Sequence, residues 1–187
     1  GSGNAVIAGI ISHANLALDH GLLNDVLDSH VEAGNGLFRG IRDAGASHPD
    51  PASAYGPGRY PPGKFLEEDF QSGVRLLGER GLTYESWHYH MQIKDYTTLA
   101  QAAPDTTMIH DHFGTPLGHG DWWSQRDVIF DQWKEDVAAL AKCSNVYAKL
   151  GGMAMPDNGF GWNDAAKPAT SDELVAAQQK YYLHTIE

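Results

Sequence analysis

Two hydrophobic patterns alternate along this chain: short, nearly continuous apolar runs and longer stretches with helical spacing. The run at 6–11 is uninterrupted, which is typical of a strand buried on both faces within a parallel sheet. Further short runs predict four more strands, at 37–41, at 83–89, at the start of 106–118 and at 146–150.

Between these runs, apolar residues recur with a spacing of three or four, which predicts amphipathic helices. The helical stretches are 22–31, 65–77, 93–103 and 127–142. Gly34 and Gly81 stand where the first two helices are expected to stop, and Thr170 with Glu173 has capping-box spacing for a fifth helix. Strands that alternate with helices in this way predict a parallel α/β fold.

Residues 47–64 contain five prolines, so this stretch is predicted to be an irregular loop. A chain of 187 residues is long enough for one domain with a sizeable core. Two architectures compete, an open doubly wound sheet and a piece of a (β/α)8 barrel, and the barrel typically needs about 250 residues. No G-x-G-x-x-G motif follows any predicted strand, which removes the commonest reason to expect a nucleotide-binding sheet.

The formal net charge of −11 would repel a nucleic-acid backbone or an anionic membrane surface. No apolar run reaches the length of a membrane span, so we expect neither nucleic acid nor membrane as the main partner. Cys143 is the only cysteine, and no signal segment opens the chain, so the composition favours a cytoplasmic protein.

Two histidine pairs with a spacing of two occur near predicted strand ends, His88 with His90 and His110 with His112. On a strand, both members of a pair would share a face, and Asp111 would point to the opposite side. Such a pair can chelate a divalent metal, because imidazole nitrogen suits zinc and similar ions. Ordinary polar or core histidines remain the alternative, because ten histidines in the chain produce some close pairs by chance.

Six ordered motifs resemble one known family: IAGIISHANL, FRGIRDAG, LTYESWHYHMQ, MIHDHFGTPLG, CSNVYAKLGGM and GFGW. Together they are similar to the amidohydrolase-related TIM-barrel hydrolases, in the branch that includes sugar-lactone and dicarboxylate-lactone hydrolases. The resemblance implies a distorted (β/α)8 barrel whose reaction centre lies at the C-terminal ends of its strands.

By the same resemblance, His90 matches the family's fifth-strand histidine and His112 its sixth-strand histidine, as metal ligands or catalytic groups. The implied cofactor is a divalent metal, with zinc as the first candidate, or no metal at all. The family's first-strand H-x-H pair and eighth-strand aspartate have no counterpart in the sequence. The expectation is therefore an incomplete TIM barrel of about five βα units, a single partial domain over 1–187 that lacks the first-strand and last-strand regions.

The implied function is lactonase-like hydrolysis, in which water adds to a carbonyl of a small polar or carboxylated substrate. A metal-dependent decarboxylase on the same barrel and a non-catalytic fragment are the alternatives. Arg42, Arg39, Trp162 and Tyr89 are the candidates for substrate contacts, with ion pairing or core packing as the alternative for each. An incomplete barrel would also leave two unpaired sheet edges, which predicts self-association.

Overall fold

The computed structural model describes residues 7–55 and 60–187, which are built around a five-stranded parallel sheet. The strands are β1 (Ile10–Ser12), β2 (Phe38–Arg42), β3 (Thr83–Ser86), β4 (Met108–His110) and β5 (Val146–Ala148). Each strand pairs with the next one in the sequence, so the order is β1-β2-β3-β4-β5. A doubly wound sheet reverses its strand order at a switch point, and this sheet does not.

Five α-helices accompany the strands, and the predicted alternation of strands and helices is confirmed. They are α1 (His20–Gly34), α2 (Glu68–Glu79), α3 (Ile93–Ala102), α4 (Arg126–Leu140) and α5 (Ser171–Ile186). Connections between parallel strands are right-handed. Here every such connection leads to the next strand in the same direction across the sheet. The connecting helices therefore lie on one face of the sheet, as they do on the outside of a TIM barrel.

The main core lies between the sheet and these helices. Ile41, Tyr84 and Met108 stand beside one another in the strand register, and all three are fully buried. Each fully buried side chain of this kind contributes about 1.5–3 kcal/mol to stability. The helices cover this face with large apolar side chains, among them Leu23, Leu27, Phe70, Val74, Leu77, Leu99, Trp133 and Leu140.

The opposite face of the sheet carries Arg42, Glu85, Ile109 and Tyr147 side by side in the register. Tyr147 on β5 is 61% exposed, and two of the other three residues are charged. This face corresponds to the interior of a barrel.

The prediction that the first strand is buried on both faces is wrong. Ile10 and Ile11 are each 37% exposed, because among the described residues β1 stands at the end of the strand order and pairs with β2 alone. Val6, the first residue of the predicted run, lies outside the described residues.

Most of the predicted element boundaries lie within three residues of those in the structure. The predicted strand 83–89 ends at Ser86, however, so His88 and His90 lie beyond the strand and not on it. The capping box is present: the Thr170 side chain accepts a hydrogen bond from the Glu173 N–H, and the Glu173 carboxylate accepts one from the Thr170 N–H at 2.7 Å. Within the predicted loop, 47–55 and 60–63 form neither helix nor strand of the sheet, and 56–59 lie outside the described residues. Within the described ranges, no helix is long and apolar enough to cross a membrane.

Candidate active site

A cavity of about 470 Å³ lies at the C-terminal ends of the strands. Its wall includes Arg42 at the end of β2, Trp87 just after β3 and His112 just after β4. The C-terminal ends of parallel strands meet at one edge of a sheet, and that edge is where α/β proteins bind ligands. The rest of the wall is formed by Ala44, Tyr55, Met155, Pro156 and Asp157.

Four charged side chains beside the cavity form one ionic network. Arg42 donates to the Asp111 carboxylate through Nε, at 2.9 Å, and through Nη2, and its Nε lies 3.8 Å from Glu85. The Lys149 Nζ lies 2.6 Å from Glu85 and 3.4 Å from Asp111. Both carboxylates are buried, whereas the side chains of Arg42 and Lys149 are 41% and 47% exposed. The two cations therefore compensate two charges that water cannot reach, and the network holds the Arg42 guanidinium in place.

The prediction that His110 and His112 share one face is wrong. Strand β4 ends at His110, and the chain turns through His112 and Phe113 with φ values of 55° and 58°. Side chains alternate between faces only within a strand, so the turn sends His112 to the cavity while His110 stays in the layer that faces the helices. Asp111 also turns towards the cavity side, where it pairs with Arg42, and not away from it as predicted.

His112 occupies an unusual backbone conformation. Positive φ is uncommon for a residue other than glycine, and such strained positions cost about 1–3 kcal/mol and concentrate at functional sites. Its Nδ1 atom is buried, and no described residue forms a hydrogen bond with it. Gly152, with φ of 84°, lies so close to the imidazole that a Cβ atom there would overlap the ring. The histidine ring is therefore confined against backbone, with its Nδ1 atom on the side of Gly152.

His88 and His110 form a buried aromatic layer behind the cavity. Their ring centroids lie 5.0 Å apart, and Tyr96 packs against both rings. Burial lowers the pKa of His110 to about 4 and that of His88 well below its usual value, so both rings are neutral at pH 7. These two histidines pack in the core, one layer deeper than His112.

His90 lies in a short 3-10 turn, His90–Gln92, beyond the end of β3. Its Nδ1 accepts a hydrogen bond from the Leu117 N–H at 3.3 Å, and its ring packs edge-on against Trp122. Burial lowers the pKa of His90 to about 4. His90 does not line the cavity that His112 lines, so the structure does not bring the two predicted ligands into one wall.

A metal ion needs more donors than this arrangement supplies. Catalytic zinc is held by three protein ligands. Over 7–55 and 60–187, no group of three or more histidine, cysteine, aspartate or glutamate side chains is placed to hold a metal. The described residues therefore do not fit a complete metal centre.

Of the four predicted substrate contacts, Arg42 lines the cavity and the other three do not. Arg39 is exposed and donates from Nη1 to the carbonyls of Gly36 and Phe38. Tyr89 is fully buried, and Trp162 stacks on Phe160 with 4.7 Å between ring centroids, beside a different cavity.

Sequence reasoning missed several wall residues, notably Asp157, Tyr55 and Met155. A signal for Asp157 exists, because it belongs to the loop that follows β5, and loops at strand ends carry functional residues in this architecture. Tyr55 sits in the proline-rich loop, where no local pattern indicates that its side chain reaches a cavity.

Comparisons with known proteins identify the family and the fold. Residues 19–180 match the model of a family described as amidohydrolase. The uncharacterised protein y4mH of Sinorhizobium fredii (strain NBRC 101917 / NGR234) is 28% identical over 169 residues, which cover 90% of this chain and 52% of that protein. Two crystal structures of an amidohydrolase from Burkholderia multivorans, one with bound HEPES and one with bound zinc, superpose with a TM-score of 0.69.

The sequence identities to these two structures are 18% and 17%, and the match covers 96% of this chain and 54% of theirs. The chain thus spans about half the length of the relatives that it matches. At this identity the structures establish the fold, which is the TIM-barrel type predicted from the motifs. The family match covers most of the sequence, and the chain therefore belongs to the amidohydrolase family.

Proposed function

We propose that this chain carries part of the active site of a lactonase-like hydrolase, which adds water to a carbonyl of a small polar or carboxylated substrate. The observation that carries this proposal is the cavity at the strand ends, where Arg42 and His112 share one wall. Family membership supports the reaction class, and the cavity volume of about 470 Å³ suits a small molecule.

In this proposal, Arg42 binds a carboxylate of the substrate. Its Nε and Nη2 are engaged by Asp111, and no described residue accepts from Nη1. Guanidinium groups recognise carboxylates through parallel N–H donors, and a group already held in one orientation loses little freedom when it binds. The ionic network therefore prepares Arg42 for an anionic ligand.

His112 is the group that we assign to the reacting carbonyl. As a hydrogen-bond donor, its imidazole would stabilise the negative charge that develops on the carbonyl oxygen; as an acceptor, it would take a proton from the attacking water. Trp87 and Met155 supply apolar parts of the surrounding wall. Zinc stays a prediction from the family resemblance. Because the described residues do not complete a metal centre, we assign no step of the proposed hydrolysis to a metal.

The test is to express the 187-residue chain and measure hydrolysis of a panel of lactones, with elemental analysis for bound metal. If His112 stabilises the developing charge, His112→Ala lowers kcat about 100-fold, the loss typical of one oxyanion donor. His20→Ala is the matched control, because His20 lies at the exposed start of α1, where its side chain contacts Ser72 Oγ at 2.8 Å and lies outside the cavity wall. Undiminished turnover in His112→Ala, or no turnover by the wild-type chain, would contradict the proposal.

A further inference from the structure

Asp157 is a carboxylate in the cavity wall that the proposed reaction does not use. It belongs to the short 3-10 turn Pro156–Asn158, beyond the end of β5. Only 3% of its surface is exposed, yet the residue lines the same cavity as Arg42 and His112. A carboxylate placed in a mostly apolar cavity needs a physical reason.

The protein satisfies only part of the hydrogen-bonding capacity of Asp157. The Tyr89 hydroxyl donates to Oδ1 at 3.0 Å, and no described residue donates to Oδ2 or forms a lysine or arginine ion pair with the carboxylate. A carboxylate has two oxygens with about four acceptor positions. Burying such a group with one partner is costly, and a donor supplied by a ligand removes part of that cost.

His119 does not act as the missing cationic partner. Asp157 favours the protonated form of His119, but burial lowers the pKa of His119 by more than Asp157 raises it. The imidazole is therefore neutral at pH 7.

The backbone around Asp157 is held rigidly, so the carboxylate keeps one position. Its carbonyl accepts a hydrogen bond from the Gly118 N–H at 2.9 Å. The neighbouring Asn158 side chain donates to the Pro116 carbonyl at 2.9 Å. These bonds tie the turn to the segment that follows His112, and recognition groups held in this way bind ligands with little loss of freedom.

We propose that Asp157 is a specificity-determining residue that accepts a hydrogen bond from a hydroxyl group of the substrate, opposite the carboxylate that Arg42 binds. The cavity wall has a cation, Arg42, an acceptor, Asp157, and apolar surface from Trp87, Ala44 and Met155. A hydroxylated carboxylic acid derivative matches both polar groups. This inference rests on the proposed function in taking the cavity as the substrate site.

Tyr89 acts in this scheme as a positioning residue. Its ring is fully buried between Trp87 and His48, and its hydroxyl reaches the cavity only through Asp157. Removing the hydroxyl with Tyr89→Phe keeps the ring packing but frees the carboxylate to move. In this proposal Tyr89 affects substrate binding through Asp157, and not by the direct contact that the sequence predicted.

The test measures ligand binding and needs no turnover. Dissociation constants of the chain for benzoate, 3- and 4-hydroxybenzoate and their methoxy analogues are determined by calorimetry. Methoxy groups are larger than hydroxyl groups and accept hydrogen bonds but do not donate them. We expect one of the hydroxybenzoates to bind about tenfold more tightly than benzoate, and its methoxy analogue no more tightly than benzoate.

Asp157→Ala should abolish the preference for the hydroxyl group, and Tyr89→Phe should reduce it. Asp157→Asn should bind benzoate at least as well as the wild-type chain, because a negative charge facing an anion is removed. Asp121→Asn is the matched control, because Asp121 is exposed and lies outside the cavity wall; it should keep the full preference.

The outcomes separate this inference from the proposed function. If benzoate binding requires Arg42 but the chain shows no preference for the hydroxyl group, the inference about Asp157 is wrong and the cavity remains the substrate site. The same conclusion follows if the wild-type chain and a folded Asp157→Ala variant show an equal preference. If no benzoate derivative binds, or if binding is unchanged in Arg42→Met, the inference about Asp157 and the proposed function are both wrong. If the hydroxyl preference depends on Asp157 but no lactone is hydrolysed, only the hydrolytic proposal is wrong.

Discussion

Beside the cavity, the buried carboxylates of Asp111 and Glu85 are compensated by the positive charges of Arg42 and Lys149. Asp111 is fully buried, and its partners are a half-exposed arginine and a half-exposed lysine. Exposed ion pairs contribute about 0–1 kcal/mol, but an unpaired charge left in a buried place is far more costly. Removing one of the half-exposed cations would leave a buried carboxylate without compensation, whereas removing a carboxylate leaves a cation that water can still reach.

A substitution at Asp111 should affect both stability and binding. Asp111→Asn preserves the shape but removes the negative charge, so Arg42 keeps only Glu85, at 3.8 Å, as its ionic partner. We expect the free energy of unfolding in urea to fall by about 1–3 kcal/mol. Benzoate should bind more weakly, because Arg42 loses the charged partner that holds its guanidinium in place. Asp131→Asn is the control, because Asp131 forms an exposed pair with Lys134 and should change stability by less than about 0.5 kcal/mol. Equal effects of both substitutions would show that burial of the network is unimportant.

Gly152 and Gly151 offer a matched pair of positions next to the cavity. Gly152→Ala places a Cβ atom against the His112 ring at a positive φ, whereas no atom lies near a Cβ built at Gly151. Gly152→Ala should lower the melting temperature and any turnover of the lactone panel, since the imidazole must move. Gly151→Ala should leave both near the wild-type values. The idea that His112 is held by this contact fails if the two variants behave alike.

At the scale of elements, the layer between sheet and helices contains histidines where apolar residues usually stand. His88 follows β3, His110 ends β4, and both rings pack against Tyr96 of α3. Burial keeps these imidazoles neutral in the folded chain, whereas in the unfolded chain they titrate near pH 6.5.

This difference makes stability depend on pH. Because the pKa of His110 is about 4 in the folded state, the unfolded chain binds more protons between pH 6.5 and 4. The contribution is fully present above pH 6.5 and is lost as the pH falls, by about 3 kcal/mol at most for this residue. Urea unfolding of wild type and His110→Gln at pH 7.5, 6, 5 and 4.5 should show a shallower decline in the variant. Parallel curves would contradict the assignment.

At the scale of the whole molecule, the open ends of the sheet are its most unusual feature. Strands β1 and β5 end the strand order, and Ile10, Ile11 and Tyr147 on them are exposed. Unpaired strand edges with apolar side chains recruit other chains. We therefore propose, as the sequence predicts, that the chain self-associates through these strand edges.

Light scattering tests this proposal directly. The chain should associate at micromolar concentration, and Ile11→Lys, which places a charge at the β1 edge, should shift it towards the monomer. Val175→Lys is the control, because Val175 is an exposed apolar residue that belongs to helix α5 and not to a strand. A monodisperse monomer of the wild-type chain would count against association.

Several features of the site were within reach of sequence reasoning. Arg42 was recognised because it follows a predicted strand, and His112 because its motif matches the family. Arg39 and Trp162 carried the same kind of signal, yet the structure places them outside the cavity wall. Position near a strand end therefore selects candidates, but the direction of each side chain depends on backbone angles that the local pattern does not reveal.

The sequence by itself determined the order and type of the elements, because apolar spacing and the Thr170–Glu173 capping box act over a few residues. Only the tertiary structure decided which polar groups meet. Arg42 and Asp111 are 69 residues apart in the chain, and their pairing follows from the parallel register of neighbouring strands. His112 reaches the cavity through a positive-φ turn that ends the strand. Contacts between distant residues depend on packing in three dimensions, which periodicity along the chain does not encode.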